Sequence, residues 1–170
     1  AEDGDEIVLC ADASGAGAVI DKSITIDFGG HTYTFTEGVG STGTPSNGFQ
    51  ILQGNEVTLK NGTLNVAEAN KDKFYILVQN YADLTVTDMT LDGTNLDKYS
   101  TTDGDSYVLS NNSGTVNITG ETNIIANDDG DLAYAFDVCK YQSYNAPVVN
   151  VNTTGKITGK IEVSESIKTH

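Results

Sequence analysis

A triplet of apolar, polar and apolar residues returns five times along this chain: Ile24-Thr25-Ile26, Val57-Thr58-Leu59, Leu84-Thr85-Val86, Val116-Asn117-Ile118 and Val149-Asn150-Val151. Its first positions lie 33, 27, 32 and 33 residues apart. Such alternation belongs to strands with one buried face, and no stretch carries a helical period. A second strand-like run precedes each triplet: Ala18-Val19-Ile20, Phe49-Gln50-Ile51-Leu52, Tyr75-Ile76-Leu77-Val78, Tyr107-Val108-Leu109 and Tyr134-Ala135-Phe136. A third run follows it, as at Thr32-Tyr33-Thr34-Phe35 and Thr63-Leu64-Asn65-Val66. Three short strands in each unit of about 30 residues predict an all-β parallel β-solenoid of about five three-stranded coils.

Period-2 facing then assigns inward columns. Two are Ile24/Val57/Leu84/Val116/Val149 and Ile26/Leu59/Val86/Ile118/Val151, and two more are Phe49/Tyr75/Tyr107/Tyr134 and Ile51/Leu77/Leu109/Phe136. A fifth, Tyr33/Leu64/Leu91, meets Asn123 as a break. Gly54, Asn80 and Asn112 are residue types that tolerate a left-handed corner. Five coils spaced by about 4.8 Å make a rod about 24 Å long, which keeps Cys10 and Cys139 too far apart for a disulfide and predicts two free thiols. The whole of 1–170 is expected to be one domain, with a cap and first strand in 1–17, coils in 18–163 and a tail in 164–170.

The run Asp21-Lys22-Ser23-Ile24-Thr25-Ile26-Asp27-Phe28-Gly29-Gly30-His31-Thr32-Tyr33 resembles the opening coil of right-handed parallel β-helix domains of the pectin-lyase-like superfamily, as found in bacterial cell-surface, adhesin-like proteins. Val57-Thr58-Leu59-Lys60-Asn61-Gly62-Thr63-Leu64 and Leu84-Thr85-Val86-Thr87-Asp88-Met89-Thr90-Leu91 are similar to the coils that follow in such domains. The resemblance implies a right-handed β-helix that is secreted or displayed at a surface, on a bacterial envelope or a phage particle. These motifs lie on packing strands and specify the fold rather than an activity.

Charge narrows the function classes. The chain has 24 acidic and 9 basic residues, all nine of them lysine, and a net charge of −15. Nucleic-acid binding, which depends on clustered Lys and Arg, is excluded as an expectation. The longest apolar runs are far shorter than the roughly 20 residues of a membrane span. Enzymes of this fold that cleave acidic polysaccharides use a basic residue against an anionic substrate, and here arginine is absent and the net charge repels polyuronates unless calcium bridges them. A lyase- or hydrolase-like enzyme with a calcium-dependent acidic site is kept as the alternative. His31 sits in the Gly30-His31-Thr32 turn and has no serine or cysteine partner at a catalytic spacing. No catalytic residue is assigned.

Two groups of loop residues remain. Asp103, Asp105, Asp128, Asp129 and Asp131 are the oxygen donors best placed for Ca²⁺, without matching a known calcium loop, and the competing reading is a solvated acidic face. Tyr99, Tyr141, Tyr144 and Asn145 fall in loops, the last three within an insertion at 139–147, where flat aromatics stack on sugar rings or anchor a protein, or else cover the side of the rod. The expectation is a non-enzymatic, extracellular β-helix module for adhesion and recognition or a structural stalk, with a glycan or protein partner. End-to-end self-association, or further coils of a longer parent chain, would cover the alternating stretch Ile157 to Val163.

Overall fold

In the computed structural model, which describes residues 1–40, 46–97, 105–127 and 133–168, the chain winds into three-sided rows of strands. The first row holds β1 (Glu6–Val8), β2 (Ala13–Ala16) and β3 (Ala18–Ile20), and the second β4 (Thr25–Asp27), β5 (Thr32–Glu37) and β6 (Asn47–Ile51). In the next two rows one long strand turns a corner, giving β7 (Glu56–Val66) with β8 (Ile76–Asn80), then β9 (Asp83–Asp92) with β10 (Ser106–Asn111). The last two rows are β11 (Thr115–Gly120), β12 (Asn123–Ile125) and β13 (Ala133–Tyr141), then β14 (Val148–Thr153), β15 (Ile157–Thr158) and β16 (Lys160–Lys168). Every pairing between named strands is parallel, and strands stack in the orders β1-β4-β7-β9-β11-β14 and β3-β6-β8-β10-β13-β16. This is a β-solenoid of about four turns, closed by an end row at each pole. No helix among the described residues is long and apolar enough to cross a membrane.

The triplets supply the first face in the expected register. Ile26, Leu59, Val86, Ile118 and Val151 stack in one column, and Val57, Leu84, Val116 and Val149 in the next. Leu59, Val86 and Ile118 are fully buried, and each such side chain contributes about 1.5–3 kcal/mol by leaving water. The polar middle residues form an outward ladder, Thr25/Thr58/Thr85/Asn117/Asn150.

Three expectations need correction. On the third face Phe49 pairs with Val78, not Tyr75, and Leu109 pairs with Val78, not Leu77. The break at Asn123 disappears, because Asn123 pairs with Thr90 and Ile124 continues the column on Leu91. Thr122, one residue earlier, is fully buried and donates its hydroxyl to the Thr119 carbonyl at 2.6 Å, and the turn takes one residue more than in the β7 and β9 rows. The left-handed corner is met at Gly54, whose φ is 88°, but Asn80 and Asn112 do not have a positive φ. A second such corner runs through Gly29, Asn61, Asp88 and Gly120, with φ between 53° and 63°. Both cysteines are free, Cys10 exposed and Cys139 buried.

Candidate functional site

Asn80 ends β8 inside the solenoid, fully buried, where its amide donates to the Ala82 carbonyl (2.9 Å) and its Oδ1 accepts from the Ala82 amide (3.0 Å). Both groups of the buried side chain are thereby satisfied within a tight turn that fixes the intervening Tyr81. Two rows further on, β13 runs out to Tyr141. The chain turns through Gln142, whose φ is 47°, and the Tyr144 amide bonds the Tyr141 carbonyl at 3.0 Å. Gly114, at φ +79° in the corner between β10 and β11, lets that corner lie close on the one after Tyr81, since a Cβ there would meet the Ala82 carbonyl oxygen.

These turns bring three half-buried tyrosines together. The Tyr81 ring centroid lies 5.7 Å from that of Tyr141 and 5.5 Å from that of Tyr144, and Tyr141 and Tyr144 stack at 6.0 Å. Burial, reinforced by its two tyrosine neighbours, pushes the Tyr81 hydroxyl up to about 12, so it stays a neutral donor at any physiological pH. Next to this cluster opens a cleft of about 410 Å³, lined by Tyr81, Asn145, Asn55, Glu56, Asp83 and Ser113 among others. Of the three tyrosines Tyr81 lines this cleft, so its wall sets one aromatic ring beside amide, hydroxyl and carboxylate groups. Of the residues singled out from sequence, Tyr141, Tyr144 and Asn145 come together here, while Tyr99 lies outside the described residues. Tyr81 escaped the sequence reading because its neighbours come from a row two away, and only the corner conformations bring the rings together.

Of the expected calcium donors, Asp103, Asp128, Asp129 and Asp131 lie outside the described residues, and Asp105 accepts from the Tyr107 hydroxyl at 3.3 Å. Many other aspartates serve the backbone. Asp3, Asp12, Asp83 and Asp88 accept main-chain N–H groups of Ser23, Thr32, Thr115 and Glu121 at 2.6 to 2.9 Å, each from the following row. Asp12 also approaches His31 Nδ1 at 3.4 Å, which places that histidine in a turn contact. Among the described residues, Asp72 and Asp97 border one cavity together with Lys71 and Asn127.

One further cluster was missed. Asp137 and Cys139 alternate on β13, Glu162 pairs with Asp137 across to β16, and their ligand atoms lie within 4.8 Å of one another. Burial, with help from Glu162, pushes the Cys139 thiol up to about 11, and Glu162 also accepts from the Tyr107 hydroxyl at 2.9 Å. The Asp137-x-Cys139 spacing was its one sequence signal; the register of Glu162 was not legible. A thiol and two carboxylates are donors suited to a divalent cation. Compared with known proteins, the chain gives no match to a family model, a curated protein or a solved structure.

Proposed function

We propose that this protein is a non-enzymatic recognition module, a β-solenoid rod that presents its tyrosine cleft to a glycan outside the cell. The observation that carries the proposal is the Tyr81 ring, braced by Tyr141 and Tyr144, in the wall of a cleft that it lines together with amides, hydroxyls and carboxylates. Rigid rings held by a corner turn offer contact area at little entropic cost, and the hydrogen-bonding side chains beside them can orient a sugar. The likeness of the Asp21 to Tyr33 run to β-helix domains of the pectin-lyase-like superfamily in bacterial surface proteins supports the extracellular setting. The engagement of so many aspartates with main-chain amides favours a role for the acidic residues in the scaffold over one in turnover.

A glycan array probed with the intact protein and with Tyr144→Ala tests this. The native protein should select a defined set of glycans, and the variant should bind them at least about tenfold more weakly while melting at nearly the same temperature. Silence of the native protein across the array, or undiminished binding by the variant, would reject the proposal.

A further inference from the structure

The tyrosine cleft does not end at the corner. A second concavity, of about 520 Å³, lies along the first face, and it shares Glu56, Asp83 and Thr115 with the cleft. Its lining includes four rungs of the outward ladder, Thr25, Thr58, Thr85 and Asn117. Rungs about 4.8 Å apart make this ladder roughly 14 Å long, enough for more than one sugar ring. The two concavities therefore form one bent groove, with the Tyr81 ring at one end and hydroxyl and amide groups along the other arm.

The charge of the groove is one-sided. Glu56 and Asp83 sit opposite each other on β7 and β9, where the two arms meet, and both are exposed. Asp83 Oδ1 accepts the Thr115 amide at 2.6 Å, which leaves its other oxygen and the Glu56 carboxylate for a ligand. Among the described residues no lysine lines either concavity, and the chain has no arginine. Lys60, further along β7, is held by Glu6 at 2.7 Å and by Asp27 at 3.4 Å. A uronate or sulfated chain would meet two carboxylates with no cation in this lining to offset them, whereas a ligand bearing ammonium groups would be drawn to the bend.

Resting on the recognition reading above, we infer that the cleft and the ladder form one extended site for a glycan with free amino groups, whose ammonium groups lie between Glu56 and Asp83. A sugar ring then stacks at Tyr81, which Tyr141 and Tyr144 brace, and hydroxyls along the chain meet the threonine and asparagine ladder. A lysine-rich peptide could satisfy the carboxylates but has no flat ring faces for the tyrosines.

The test is calorimetric titration of the intact protein with three oligosaccharides of equal length, built from glucosamine, N-acetylglucosamine or a uronate, and with oligolysine. The glucosamine oligomer should bind about tenfold more tightly than its acetylated counterpart, a preference that salt erodes, and the uronate should not bind. The E56Q/D83N double variant should abolish this preference while retaining the acetylated oligomer. The side-chain carbonyl left by D83N can still accept the Thr115 amide, and E56Q alone serves if the double variant melts early. Tyr144→Ala should weaken both glucosamine-type oligomers alike. Equal binding of those two by the native protein, or a preference that survives E56Q/D83N, overturns the amino-sugar assignment and leaves glycan recognition standing. Absence of all glycan binding overturns both. Oligolysine binding that matches the glucosamine oligomer and ignores Tyr144→Ala reduces the groove to an acidic face and overturns the assignment.

Discussion

Asp27 shows how single carboxylates serve this scaffold. The Gly29 amide donates to it at 2.8 Å and the Asn61 side chain donates from the next row, and these bonds, with Lys60 alongside, hold its pKa below the ordinary 3.8. A carboxylate acidified by folding stabilises the native state above its unfolded pKa, and the contribution fades as pH falls through the lower folded value. Melting temperature followed from pH 5 downwards should therefore drop less steeply for Asp27→Asn than for the native chain, which a set of thermal melts will check. The two thiols should differ as sharply. Cys10 is exposed, while Cys139 is buried with its pKa pushed up to about 11, so a thiol reagent at neutral pH should label one site at once and the second only after denaturation. Two rapid equivalents would contradict the burial of Cys139.

At the level of elements, the strands of the first face were legible because each carries its inward residues at a strict period of two. Leu59 stacks between Ile26 and Val86 with no exposed surface, so Leu59→Ala should cost about 2–5 kcal/mol in chemical denaturation. Thr58→Ala, on the outward side of the same strand, should cost under about 1 kcal/mol. The third face was legible as strands but not in register. Between paired residues the chain takes 12 steps from Phe35 to Asn47 (47−35) but 10 from Val66 to Ile76 (76−66), the second path holding the 3-10 turn Glu68–Lys73, so that counting forward from a triplet arrives at the wrong partner. Asn123 failed for the same reason on a smaller scale, since one added residue in the turn at Thr122 carries the column on to Ile124. Corner identity was hidden because Asn61 and Asp88 lie inside continuous strands, where their sequence context looks like any other outward pair. Of the candidate site, the loop tyrosines could be singled out as aromatics outside the packing columns, but Tyr81 and the shared Glu56–Asp83 bend required the rows to be assembled.

The whole molecule is held together mainly by neighbouring rows, as strand pairs join residues about one unit apart in sequence and few contacts skip a row. Stability in such an array is close to a sum over rows and their interfaces. The interior rows are covered on both sides, whereas the end rows expose Ile7, Val8, Val148, Val151, Ile161 and Val163. Amide hydrogen exchange should accordingly be slowest in β7, β9 and β11 and should quicken towards β1 and β16, and uniform protection along the rod would show that the array unfolds as one block. The same row structure bears on the tyrosine cleft in another way. Tyr81 belongs to the row of β8 and Tyr141 to that of β13, with the row of β10 between them. The rod is thus a ruler graduated in steps of about 4.8 Å, and the aromatic patch fits only one spacing on it. A duplicated unit on the β1 side of Tyr81 would lengthen the ruler and leave the patch whole, while the same insertion between Tyr81 and Tyr141 would part the rings by a full graduation.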